Sequence, residues 1–389
     1  MAHHLIFKKT WKTRRSYSKL MMPVNNILPD VTPLESGCNR PLKMTFEDQI
    51  NILVYFHLEE HHSGRRLLQV LKEEDFARQC IAPAGGIEKS SFFEDISSRG
   101  LPQMMEVFEK LYAQAAKDLP KGYAELGDIV LIDGSLIDAV LSMYWADYRK
   151  GAKKAKVHIG FDLNRSIPKK IFLSNGKDAE RPFVEKIPAP GETGVMDRGY
   201  QNHQLFDTWQ EEGKHFIRRI KASTEKTIIR TNNVQPGSIV FYDAIVLLGS
   251  TNVNRTEKEL RLVGYRVDDI NYCVATDRYD LTAEQIAFAY KLRWNIEIFF
   301  GWWKRHLKVY HLISRSPYGL MVQMLAGLIT CILLAIYCQN QHHEKVSVKR
   351  LREISINIRN EMTIEDIVAN IGGGEIHPPP NREQSHANS

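Results

Sequence analysis

Cysteine is scarce in this 389-residue sequence, with five residues at positions 38, 80, 273, 331 and 338. None falls in a CxxC pair or in a Cys/His spacing of the zinc-site kind. That excludes a thiolate metal site and argues against a disulfide framework, so a reducing compartment such as the cytosol is the better fit. A metal, if one is used, must be held by oxygen. The N-terminus is basic but has no apolar stretch behind it, which argues against a secretory leader. No internal repeat is visible. Long uncharged runs are absent with one exception, YGLMVQMLAGLITCILLAIYC at residues 318 to 338, which is just long enough to cross a bilayer. A helix buried in the middle of a layered domain is apolar all round for the same reason, and that reading is preferred to a membrane span.

Acid is missing where base is dense. Residues 8 to 19 hold Lys8, Lys9, Lys12, Arg14, Arg15 and Lys19 with no acid, and residues 149 to 170 hold eight bases against Asp162 alone. Overall, 52 Lys and Arg against 46 Asp and Glu give only +6, so the clustering matters more than the total. Such clusters suit a polyanion such as nucleic acid, whose phosphates supply much of the affinity. A solvated lysine face is the plain alternative for either cluster alone. With 43% hydrophobic and 25% charged residues, the remainder has the balance of a globular protein with room for two or three domains.

Along the chain, residues 1–44 read as a basic arm and an irregular linker. Helical periodicity starts at Thr45 in TFEDQINILVYFHLEEH and continues through SGRRLLQVLKEEDF, IEKSSFFEDIS and PQMMEVFEKLYAQAAKDL. Residues 45–120 are therefore expected to form a helical domain, compatible with a helix-turn-helix reader of DNA or with a plain bundle. From residue 121 short β-rich runs appear, DIVLID, KVHIGFDL, KKIFLS and ETGVMD, with a helix expected at KDAERPFVEKI. Residues 222–278 read as an all-β insertion. Helical signal returns at LTAEQ, where Thr282 and Gln285 form a capping box. The resulting expectation is a mixed α/β sheet flanked by helices over 121–345, followed by a C-terminal helix and a disordered tail over 346–389.

Two aspartates close apolar strands, Asp133 in VLIDGS and Asp197 in VMDRGY. Acids at strand C-termini face the crevice where α/β sheets place ligands, although each alone could be a turn or cap residue. A third acid lies in YKLRWNIEIFFGWWKRHLK, residues 290 to 308. At 100° per residue, Tyr290, Arg293, Glu297, Gly301, Lys304 and Lys308 fall along one stripe, opposite Ile296, Phe299, Phe300 and Trp303. An exposed Arg293/Glu297 ion pair, worth only about 0.3–0.5 kcal/mol, leaves the other cations of the stripe unexplained. Three carboxylates from separate segments can hold two Mg²⁺ ions about 3.5–4 Å apart for in-line phosphoryl transfer, with the neighbouring bases on the phosphates.

Tyr290, Arg293, Glu297 and Lys304 meet the pattern Y-x2-R-x3-E-x6-K in full. This resembles the signature of IS4-family insertion-sequence transposases, the DDE group with an RNase H-like catalytic core. Asp133 in LIDGS and Asp197 in DRGY resemble the first and second acids of that family. They stand 64 residues apart, and the 100 residues from Asp197 to Glu297 match the place where the family inserts a β-rich subdomain. The resemblance covers roughly residues 120 to 340. It implies Asp133, Asp197 and Glu297 as catalytic metal ligands, two Mg²⁺ ions for which Mn²⁺ can substitute, and DNA contacts from Arg198, Tyr290, Arg293, Trp294, Lys304 and Lys308. The activity it implies is cut-and-paste transposition: cleavage at the terminal inverted repeats, then strand transfer into target DNA by a homodimer in the cytoplasm at the nucleoid. Either Trp294 or Trp302 could stack on a flipped base. His158 reads as a core histidine. The rival readings are a catalytically lapsed, transposase-derived DNA-binding protein and a nuclease that cuts without joining.

Overall fold

The computed structural model describes residues 15–35, 41–149, 152–179, 181–200, 202–221, 223–251 and 253–371. Ten strands form one sheet: β1 (Ile129–Asp138), β2 (Asp147–Arg149), β3 (Ala152–Asp162), β4 (Ile167–Asn175), β5 (Thr193–Met196), β6 (His215–Arg219), β7 (Lys226–Thr231), β8 (Val240–Leu248), β9 (Leu260–Val267) and β10 (Ile270–Thr276). Their order is β2-β3-β1-β5-β6-β10-β9-β8-β7, with β4 paired to β3. The first strands are an antiparallel meander, and β5 and β6 then lie parallel to β1. This β4-β3-β1-β5-β6 arrangement is the RNase H-like sheet.

Residues 129 to 132 of β1 are all buried because helices cover both faces of this central strand, which is why its sequence is continuously apolar. Ile129 and Leu131 point into one core, and Val130 and Ile132 into a second with Phe206 and Trp209. The first core is much the larger. It runs from the N-terminal helices, through one face of the sheet, to the C-terminal helices.

The β-rich stretch after β6 extends the central sheet. Strand β10 pairs antiparallel with β6, and β9, β8 and β7 follow outward. The insertion expected from sequence is thus continuous with the central sheet. Its outermost strand, β7, is exposed along its length and carries Lys226, Arg230 and a register shift between Ile228 and Arg230, features that discourage edge-to-edge pairing.

The helices are α1 (Arg15–Ile27), α2 (Phe46–Leu58), α3 (Gly64–Glu73), α4 (Lys89–Ser98), α5 (Leu101–Asp118), α6 (Arg181–Val184), α7 (His203–Glu211), α8 (Ala283–Lys291), α9 (Trp294–His306), α10 (Pro317–His342) and α11 (Val348–Ile371). Helices α2 to α5 and α11 match the sequence expectation, and the capping boxes at Thr45 and Thr282 are both formed. The helix expected at residues 177 to 187 shrinks to the single turn α6.

One correction concerns residues 15 to 27, read as arm and linker but found as helix α1. Tyr17, Leu20, Met21 and Val24 recur at helical spacing and are buried, while the internal Pro23 interrupts the sequence signal. The rest of the arm, residues 1 to 14, and the tail, residues 372 to 389, lie outside the described residues.

Helix α10 is the apolar run, and nearly all of its most hydrophobic window is inside the fold. It packs against α1, α2, α4, α5, β4 and α11. Its apolarity is that of a core helix.

Candidate active site

Side chains alternate across a strand, so Asp133 shares the face of Ile129 and Leu131, which belongs to the larger core. Val195 lies in that core and Met196 in the other, so Asp197 emerges on the same face as Asp133. Leu131 pairs with Val195 in parallel register, and two residues on this places Asp133 beside Asp197. Met196 pairs with Arg218, which sets Arg219 next in the row. Two acids and a base therefore stand in a row across three adjacent parallel strands: Asp197 just past the end of β5, Arg219 at the end of β6, and Asp133, expected to close its strand, midway along β1, which runs on to Asp138. Arg219, which also lies over the Tyr272 ring at 4.8 Å, was not singled out from sequence, although HFIRR following the second acid was the available signal.

The third acid arrives on α9, whose Ile296, Phe299, Phe300, Trp302 and Trp303 are buried against the same face. Glu297 shares a cavity of about 650 Å³ with Asp133, Gly134, Ser135, Gly301, Lys304, Arg305 and Tyr310. A second cavity of about 660 Å³, around His203, Lys221 and Asn254, contains none of the three acids in its lining.

The stripe expected on one helix is divided between two. At the α8–α9 junction the amide of Arg293 donates to Tyr290 and that of Ile296 to Arg293, a three-residue spacing that tightens the turn. The Tyr290 hydroxyl donates to Asp197 Oδ1 at 3.0 Å. Arg293 Nη2 donates to Glu297 Oε1 at 2.6 Å, while its Nη1 stands 3.6 Å from Asp133 Oδ2. Residues from the signature thus touch all three acids. Lys304 Nζ donates to the Leu136 carbonyl at 2.8 Å, three residues past Asp133 on β1.

The other expected contacts are placed unequally. Arg198 is exposed beside Asp197. Trp294 is 59% exposed whereas Trp302 is buried, so only Trp294 could meet a base. Lys308 lies beyond the end of α9 in a left-handed conformation, φ 52°, and pairs with Glu60 at 3.4 Å, outside the acid-lined cavity. The helical stripe does not extend that far. His158 is a core residue, bonded to Ser174 Oγ at 2.9 Å and stacked on Phe183.

The electrostatics favour a charged Asp197. Burial opposes the charge on Asp197, but the Arg198 amide, the Tyr290 hydroxyl and the Arg293 and Arg219 guanidinium groups outweigh it and hold its carboxyl below the usual range. Burial also opposes the charge on Arg293, and the Glu297 hydrogen bond with the nearby Asp133 more than compensates. Lys304 is pulled below the ordinary lysine value, chiefly by burial and also by Lys154, against the opposing effect of Asp138 and Asp133.

All three acids offer hard oxygen donors, which is the chemistry Mg²⁺ or Mn²⁺ takes. Asp133 and Glu297 open into one cavity, and Asp197 stands at the neighbouring strand end. The donor set therefore fits a divalent cation in kind. Among the described residues no three acids are already gathered as a metal cluster, and Arg293 stands between two of them.

An RNase H-like sheet carrying acids on two adjacent parallel strands, with a third on the covering helix, is the arrangement of the DDE class. The chain belongs to the DDE transposase family, since residues 125–334 match the family described as the transposase DDE domain. It is 26% identical over 209 residues to a Geobacillus stearothermophilus protein named as a transposase for insertion sequence element IS5377, covering 52% of this chain and 55% of that one. A Sinorhizobium fredii protein named as transposase y4zB is 27% identical over 66% of this chain and 71% of its own length. A Synechocystis protein named as a transposase for element IS4SA is 24% identical, over 64% and 72%. The chain thus spans just over half the length of the first of these relatives. The names agree with the insertion-sequence resemblance carried by the four-residue signature.

Proposed function

We propose that the chain catalyses cut-and-paste transposition of an insertion sequence, with Mg²⁺-dependent cleavage at the element's terminal inverted repeats and strand transfer into target DNA. The observation that supports this reading is that Asp133, Asp197 and Glu297 lie on one face and each meets a residue of the four-residue signature, Arg293 at Asp133 and Glu297 and Tyr290 at Asp197. The three carboxylates would hold two Mg²⁺ ions, with Mn²⁺ able to substitute. When bound, such ions supply Lewis-acid stabilisation to the attacking and leaving oxygens of the phosphoryl group.

The chain's own residues do the rest. Tyr290 keeps one Asp197 oxygen oriented, and Arg293 balances the negative charge of Asp133 and Glu297. Lys304, Arg293 and Arg198 would hold DNA phosphates on the rim, and Trp294 would stack on an unpaired base. Lys308 would contact backbone only after leaving Glu60. Helices α2 to α5 are assigned to recognition of the element ends, and the synaptic complex is assigned as a homodimer in the cytoplasm at the nucleoid.

The test uses duplexes made from the DNA flanking the gene, incubated with the full-length chain and Mg²⁺. Asp133→Asn, Asp197→Asn and Glu297→Gln should each slow cleavage by about a thousandfold or more, the scale of several kcal/mol of transition-state stabilisation, while duplex binding persists. Wild-type cleavage rates in any one variant would remove that acid from the site. Binding without cleavage by the unchanged chain would instead favour a lapsed, DNA-binding descendant.

A further inference from the structure

The connection from β1 to β2 holds three apolar side chains out in solvent: Val140 at 46%, Leu141 at 71% and Tyr144 at 82% exposure. It is held in shape. The Met143 amide donates to Val140 at 2.9 Å and the Ala146 amide to Met143 at 3.0 Å, making two successive turns. At its base the Ala139 amide donates to Lys153 and the Lys154 amide to Ala146. Met143 and Ala146 are buried, and Trp145 Nε1 donates to the Arg315 carbonyl at 2.9 Å. Buried residues thus alternate with exposed ones and fix the latter in a preorganised projection.

The loop continues the strand that carries Asp133. At about 3.3 Å per residue, Asp138 lies about 16 Å past that acid, close to the rise of five base pairs at about 3.4 Å each. Its flank is basic: the first half of β3 carries Lys153, Lys154 and Lys156 and no acid. Lys154 pairs with Asp138, whose side chain is 74% exposed, and Lys153 and Lys177 pair with Asp147. A phosphate backbone can replace these exposed carboxylates as partner. Three side chains are too small a patch for a stable protein interface, but apolar wedges of this size are what DNA-kinking proteins insert between base pairs.

We propose that the 139–146 loop, through Leu141 and Tyr144, enters duplex DNA about five base pairs from the phosphate being cut and unstacks a base step there. The proposal rests on the transposase reading. Full-length chain without divalent ion is mixed with duplexes of the DNA flanking the gene, each carrying 2-aminopurine at one successive position from the element end. Fluorescence should rise at one or two positions near the fifth base pair. Leu141→Ser with Tyr144→Ser should abolish the rise while the duplex stays bound and the circular dichroism is unchanged, and Tyr144→Phe should retain it.

No rise at any position with DNA bound, or a rise that persists in the double serine variant, overturns the wedge and leaves the transposase reading intact. A double variant that turns from dimer to monomer in sedimentation with its fluorescence rise unaltered would make the loop an interface between copies, and the wedge would be wrong. If the unchanged chain binds no duplex, the transposase reading falls, and the wedge with it.

Discussion

Arg293 serves two carboxylates at once, and Tyr290 serves the third, so the signature residues around Glu297 act first on the acids themselves. Removing the phenol hydroxyl tests this. In Tyr290→Phe the lost hydrogen bond, about 1 kcal/mol, should slow cleavage about fivefold at limiting Mg²⁺. The sign of the pH effect follows from Asp197. Its carboxyl is held below the usual range in part by that hydroxyl, so the variant's carboxyl must ionise at higher pH. The acid limb of the rate profile should accordingly move to higher pH. An unmoved limb with normal Mg²⁺ dependence would show that the hydroxyl does not govern Asp197. The face on which each acid lies was legible in the apolar pattern around it, but the end of the strand at Asp133 was not, since β1 runs on through GSLID to Asp138. Arg219 was not, since only the parallel register of β5 and β6 brings it beside Asp197.

The α8–α9 junction shows where helical periodicity stops being a sufficient guide. Spacing alone located Glu297 and put Lys304 on its side, but it treated residues 290 to 308 as one rod. The tightened turn at Arg293 lets Tyr290 and Arg293 serve different acids, and the end of α9 at Leu307 sends Lys308 to Glu60. Helix α1 was missed for the opposite reason, since Pro23 and the preceding bases masked an apolar stripe that the core then satisfies.

The end of α9 is also tied down by His57 of α2. Its ring nitrogens face the carbonyls of Leu307 and Gln323, and burial lowers its pKa to about 4 against the pull of those carbonyls. The unfolded chain binds this proton near pH 6.5 and the folded chain only near 4, so stability present above pH 6.5 is lost as pH falls between them. The loss is on the order of 3 kcal/mol by pH 4. Urea midpoints should fall over that range in the wild type and much less in His57→Gln. Equal acid sensitivity in both would assign the effect elsewhere.

On the scale of the whole molecule, the boundary near residue 120 drawn from sequence is not a boundary of packing. The N-terminal helices, one face of the sheet and the C-terminal helices share one apolar core. Composition marks where helices give way to strands, but it carries no information on which segments bury their faces together. Calorimetry of the full chain should therefore show a single unfolding transition. The piece spanning residues 121 to 371, stripped of α1 to α5, should expose the faces of α10 and bind a hydrophobic dye. A second, independent transition, or a cooperatively folded fragment, would restore the sequence-drawn boundary.

Helix α10 gives this shared core a timetable. It begins 199 residues after α5 ends, and at roughly 5–20 residues per second the ribosome takes about 10–40 s to make that interval. During that time the first five helices have emerged without the segment against which they pack. Their apolar faces must wait for the C-terminal part of the chain, so a message broken before residue 317 yields a product open to proteolysis. Only chains read through α10 can close their core.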